Sequence, residues 1–147
     1  MKILSPAFEH QQKIPSKYTC NGENVNPPLQ FQDIPKEAKS LVLIVDDPDA
    51  VHGVWVHWVV YAIDPKTTDI LENSKPTGVQ GVSSFGKPGY GGPCPPSGTH
   101  RYFFKLYALD MMLEFDASEE VDKGLLEKKM QDHILAQAEL IGLYSQS

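Results

Sequence analysis

The chain has 147 residues and a formal charge of −6, enough to bury a core without metals or staples and suited to one domain over 1–147. Its 13 basic residues are scattered among 19 acidic ones, which excludes the basic footprint of a nucleic-acid binder, and no apolar stretch approaches the length of a membrane helix. No apolar run follows the single lysine of residues 1–8, so no leader is expected and the default compartment is the cytoplasm.

Residues 1–35 read as loops and short strands. A strand can open at Lys2 to Leu4, and Pro6, Pro15, Pro27, Pro28 and Pro35 then interrupt any helix. The segment Tyr18 to Leu29 is dense in side chains that bond their own backbone, as in an ordered loop over one end of a core. Lys39 to Val45 is apolar at both parities and predicts a strand covered on both faces. It ends in Asp46-Asp47-Pro48-Asp49, three carboxylates that form either a solvated turn or one wall of a site.

Trp55 to Ile63 predicts a second central strand. By simple alternation His57 shares a side with Val59, Tyr61 and Ile63. Asp64 to Gly89 is a long excursion broken by glycine and proline, of the kind that carries function or a lid. Arg101 to Leu109 predicts a third strand, with His100 and Tyr102 at the same parity. Further on, Asp116 with Glu119 three residues later resembles a helix cap. Val121, Leu125, Leu126 and Met130, then Ile134, Ala138 and Ile141, recur at helical spacing. Gly124 and Gln131-Asp132 divide that stretch into two short helices. Buried strands joined by loops, with helix only at the end, predict an all-β two-sheet sandwich.

Chemistry can gather where the strands begin and end. Asp47 or Asp49, His57, His100 and Tyr102 all lie at such ends. Two imidazoles and a phenol can donate hydrogen bonds to an anion, with a carboxylate fixing one tautomer. Trp55 and the proline rings would supply apolar walls, which suits a phosphate or carboxylate head group with a short apolar tail. Other readings compete. A lone histidine in a strand, such as His57, is more often a hydrogen-bonded core residue, Arg101 points the other way and pairs with an acid outside the pocket, and His10, His52 and His133 have no visible company. Two histidines with an acid match no metal-ligand spacing, so no metal or other cofactor is expected. A hydrolase using Cys94 or a pocket-bound water stays open as the alternative, although Pro93 and Pro95 flank Cys94 and no helix start lowers its pKa.

Six stretches carry a resemblance. They are Tyr18-Thr-Cys-Asn-Gly-Glu-Asn-Val-Asn-Pro-Pro-Leu29, Ser40-Leu-Val-Leu-Ile-Val-Asp-Asp-Pro-Asp-Ala50, Val54-Trp-Val-His-Trp58, Gly89-Tyr-Gly-Gly-Pro-Cys-Pro-Pro96, His100-Arg-Tyr-Phe-Phe-Lys-Leu-Tyr-Ala-Leu-Asp110 and His133-Ile-Leu-Ala-Gln-Ala-Glu-Leu-Ile-Gly142. In this order they resemble the phosphatidylethanolamine-binding protein family, in its bacterial and archaeal Raf-kinase-inhibitor-like branch. The resemblance implies an antiparallel Greek-key β-sandwich with short C-terminal helices and an anion cavity at one end. It puts the pocket acid at Asp47, the pocket histidines at His57 and His100 and the pocket tyrosine at Tyr102. Trp55, Gly92, Pro93 and Pro96 fall at the pocket or its rim, and Asp49 becomes a structural partner that holds the loop. It also brings Cys20 and Cys94 near one another as a redox-responsive pair. The implied partners are a small anionic ligand (phosphate, a phospho-head group or a carboxylate) and a protein such as a kinase or protease; a homodimer is one open oligomeric state. Val51, Asn21, Phe31 and the short Ser97-Gly-Thr99 connection depart from the family pattern without touching the four pocket groups.

Overall fold

The computed structural model describes residues 1–146. Among these residues nine strands form two sheets, with a single 3-10 turn at Ser16–Tyr18 and one α-helix. The smaller sheet takes β1 (Lys2–Leu4), β3 (Leu29–Gln32) and β6 (Asp69–Ile70), in the order β1-β3-β6. The larger contains β2 (Gln12–Lys13), β4 (Ser40–Asp47), β5 (Trp55–Ile63), β7 (Val79–Gln80), β8 (His100–Leu109) and β9 (Ile134–Tyr144), in the order β2-β9-β8-β4-β5-β7. All pairings are antiparallel except β2 with β9, which is parallel, so the expectation of purely antiparallel sheets fails at one edge.

β4 is central, and every one of its residues is buried, as its two-sided apolar pattern requires. Leu41, Leu43 and Val45 turn toward the small sheet and join Ile3, Leu29 and Phe31 in one core. Val42 and Ile44 turn the other way, into a second core with Val59, Leu126 and Met130. The helix α1 (Lys123–Met130) covers that second face.

The C-terminal region differs from expectation. Asp116 and Glu119 do bond each other, Asp116 N donating to Glu119 Oε1 at 2.9 Å, but they close a turn. The true cap is Asp122, whose Oδ1 accepts from Leu125 N at 2.9 Å, and Gly124 lies inside the first turn rather than between two helices. The second expected helix is strand β9. Ile134, Ala138 and Ile141 fit a helical spacing, yet Ala136, Ala138, Leu140, Gly142 and Tyr144 also alternate at period two. Ten register pairs with β8 decide for the strand.

β5 contains two irregularities that matter more than its length. Val45 pairs with Trp58 and the next residue, Asp46, pairs with Val56, so His57 is an extra residue in its strand. A second slip lies between Val60 and Ile63, where Ala62 takes a positive φ of 54°. Such bulges re-aim side chains. They turn Trp58, Val60 and Ile63 into the inter-sheet core while Val59 and Tyr61 face the helix side. The simple alternation that put His57 beside Val59 and Tyr61 is therefore corrected: the bulge turns His57 toward the same side as Tyr102.

Candidate functional site

A cavity of about 680 Å³ opens at the end of the large sheet where β4 stops and β5 and β8 begin. Asp47, Trp55, His57, Pro96, His100 and Tyr102 all line it. Asp47 gets there by parity, because it continues the Leu41, Leu43, Val45 face of β4. His100 and Tyr102 get there by the parity of β8, whose Phe104, Leu106 and Ala108 continue into the same core.

Each imidazole is anchored through Nδ1. His100 Nδ1 donates to Asp47 Oδ2 at 2.7 Å, with both side chains almost wholly buried. Asp47 Oδ1 accepts from the backbone N–H of Asp49 at 2.7 Å, so the Asp-Pro-Asp turn fixes the carboxylate that fixes the ring. His57 Nδ1 donates to the Gly91 carbonyl at 2.7 Å, and Gly91 N donates back to the His57 carbonyl at 3.0 Å. In both rings the anchor occupies Nδ1 and leaves Nε2 as the remaining nitrogen, and both residues line the cavity.

Tyr102 stands between them, its ring 5.2 Å from that of His57 and 6.5 Å from that of His100. Burial, reinforced by the charge of Asp47, holds the Tyr102 phenol above its usual pKa, so it stays a donor at neutral pH. Burial also pushes the pKa of His57 down, despite the Gly91 carbonyl and the charges of Asp47 and Asp46. His57 is thus neutral at neutral pH, which differs from the expectation of two donating imidazoles.

Outside the cavity Asp49 and Arg101 form a two-pronged pair, Nε to Oδ2 at 2.9 Å and Nη2 to Oδ1 at 2.8 Å, and the Arg101 backbone N–H adds a third bond to Oδ2. The guanidinium holds the Asp49 carboxyl down at about 2. Arg101 has the acid partner that its parity implied.

Gly92 and Pro93 do not line the cavity. Gly92 N donates to Asn24 Oδ1 at 2.8 Å, and a Cβ there would clash with the Tyr18 carbonyl oxygen. The Pro93 carbonyl accepts from Cys20 N at 3.1 Å. These two residues tie the rim loop to the Tyr18–Leu29 segment. Cys20 and Cys94 are joined as a disulfide with Cα atoms 5.5 Å apart. Cys94 lines the cavity but has no thiolate to offer in this form, which removes it as a nucleophile.

Sequence reasoning passed over three contributors. Phe85, 5.6 Å from the His57 ring and 5.5 Å from Trp55, closes one wall. Gly91 holds His57, and its own signal was the glycine-rich run itself, since any side chain there would strike the Phe85 ring. His52 lines the outer cavity. Of the other histidines left without company, His133 Nδ1 bonds Asp110 Oδ1 at 2.9 Å and His10 Nδ1 accepts from Ile141 N at 3.0 Å.

Two sheets with a cavity at one end, walled by anchored imidazoles and a phenol, define a small β protein with a preformed polar pocket. Residues 4–145 match the family model for phosphatidylethanolamine-binding protein, and the chain belongs to that family. Among its relatives is a UPF0098 protein of Methanothermobacter thermautotrophicus, 49% identical over 150 residues and covered to 98% of each chain. A UPF0098 protein of Chlamydia pneumoniae is 47% identical over the full length of both. In three dimensions it is similar to CT736 of Chlamydia trachomatis, described as a phosphatidylethanolamine-binding protein homologue. That match has a TM-score of 0.94 and 45% identity, and covers 99% of this chain and 97% of that one. Escherichia coli YbcL, described as a member of the mammalian family, gives a TM-score of 0.90 at 28% identity, covering 99% of this chain and 98% of that one. No helix among the described residues is long and apolar enough to cross a membrane.

Proposed function

We propose that this protein binds a small anionic ligand, a phosphate or phospho-head group, in the cavity between His57, His100 and Tyr102, and acts by binding rather than by turnover. The observation that carries the reading is the paired anchoring. Two rings on different strands each commit Nδ1 to a fixed acceptor, which leaves Nε2 clear of that anchor, and both residues line one cavity. Tyr102 donates from its phenol. His100 donates from Nε2 when it carries a second proton, and Asp47 then supplies the countercharge at 2.7 Å. The apolar wall of Trp55, Phe85 and Pro96 takes a short carbon tail.

The direct test is calorimetric titration of phosphate-free protein with inorganic phosphate. His100→Ala is expected to weaken binding more than tenfold, about 1.4 kcal/mol; unchanged affinity rejects the site. Native mass spectrometry of protein as purified would show what it carries. A regulatory role through a kinase or protease partner that senses whether the pocket is filled extends the reading. It is tested by pull-down with and without phosphate, and a partner set indifferent to phosphate removes it. Because Cys94 is tied up, a hydrolase would have to use a bound water activated by the Asp47–His100 pair. Turnover of phosphoesters or carboxylic esters that is lost in His100→Ala would favour that second reading.

A further inference from the structure

The proton on His57 is fixed by its surroundings. A peptide carbonyl can only accept, so the 2.7 Å contact with Gly91 places the ring hydrogen on Nδ1. The residue is 4% exposed, and the rings of Phe85 and Tyr102 face it at 5.6 and 5.2 Å. The charged and titratable groups around it are Asp47, Asp46, Tyr102 and His100. Burial outweighs the pull of the two carboxylates, so the ring is neutral and its Nε2 carries a bare lone pair. The group that His57 can offer to the cavity it lines is therefore an acceptor, Nε2, beside the Tyr102 phenol.

That arrangement is wrong for a bare oxyanion. An oxyanion without hydrogen offers only lone pairs, and against Nε2 it would leave two acceptors facing each other. An oxyanion that keeps one acidic hydrogen satisfies both neighbours, donating to Nε2 and accepting from Tyr102. A site built around such a bond rejects an analogue that lacks the hydrogen far more strongly than apolar fit alone can.

We propose that His57 is a specificity residue of the pocket: its Nε2 accepts the acidic hydrogen of a bound tetrahedral oxyanion, selecting hydrogen phosphate over oxyanions that carry none, such as sulfate. The inference rests on the anion-site reading above and names the ligand class. It also separates two sources of the same chemistry. At pH 8 free phosphate still keeps a hydrogen, whereas a phosphate monoester, whose second pKa is about 6, has lost its last one. Free phosphate is favoured at that pH and a head-group monoester only in mildly acid solution.

The test is titration calorimetry at constant ionic strength with inorganic phosphate, sulfate and methyl phosphate, at pH 8 and at pH 5. At pH 8 phosphate is expected to bind at least about tenfold more tightly than sulfate and than methyl phosphate. At pH 5 methyl phosphate regains its hydrogen and joins phosphate. Equal affinity for phosphate and sulfate at pH 8 overturns the proposal while leaving the anion site intact. Binding of none of the three, at either pH, overturns the anion site itself. His57→Asn then tests the assignment, because its amide N–H can still reach toward Gly91 while the shorter side chain puts no acceptor at the position of Nε2. The phosphate-to-sulfate ratio should fall toward one, and a ratio that survives in the folded variant assigns the selectivity elsewhere. The wild-type ratio stands as a test even where the variant does not fold.

Discussion

Asp49 illustrates how much one short motif settles. Its two oxygens hold Arg101 at the guanidinium and at the backbone N–H that begins β8, one residue after His100. Its carboxyl lies at about 2, below the ordinary 3.8, so its contribution to stability is present above pH 4 and is lost as pH falls toward 2. The pair is partly exposed and screened, so its contribution is small. Asp49→Ala should therefore lower stability slightly at pH 7, and the difference from the parent should shrink as pH falls to about 2, as urea titrations at the two pH values would show. At this scale the sequence was readable. Parity alone sent Arg101 away from the cavity and His100 into it, because β8 alternates without interruption from His100 to Ala108. His57 was readable as a residue of the cavity lining but not in its protonation, since neither the Gly91 carbonyl nor the Phe85 ring is near it in sequence.

Among the elements, the bulge in β5 is what alternation could not show. Period-two reasoning presumes one residue per register step, and the extra residue at position 57 breaks it where an imidazole lines the cavity. β9 failed for a different reason. Its sequence satisfies both a helical and a strand period, and the choice was made by β8, a partner distant in sequence. The rim loop was legible as a glycine- and proline-rich run, but the direction of each glycine was not. Gly92 approaches the Tyr18 carbonyl and the Asn24 side chain too closely for any side chain. Gly92→Ala should cost about 1–3 kcal/mol in chemical denaturation, as overpacking of a tight contact does. It should also weaken phosphate binding, because Gly91 next to it holds His57. A loss of stability below about 0.5 kcal/mol would mean that the loop is free to move.

For the whole molecule, one sheet separates two jobs. Its inner face carries the inter-sheet core and runs on into the cavity, and its outer face carries the core under α1. Asp46, beside Asp47 but pointing outward, binds Lys105 at 3.1 Å and Lys123 at 2.7 Å and so fastens the helix to the sheet. Leu126, fully buried on that outer face, should behave as stability alone. Leu126→Ala is expected to cost about 2–5 kcal/mol in unfolding while leaving phosphate affinity within twofold in calorimetry. A matching loss of affinity would show that the two faces are coupled.

The bond between Cys20 and Cys94 closes a covalent ring across 74 positions of sequence. In the chain-entropy picture a loop of that size restrains the unfolded chain by about 4 kcal/mol. The ring also encloses the long excursion after β5, where Leu71 is 69% exposed. A protease cut there opens a circle instead of releasing a piece, so the two fragments should migrate together on a non-reducing gel and part only when a thiol is added. Separation without reductant would mean that the circle is not closed in solution.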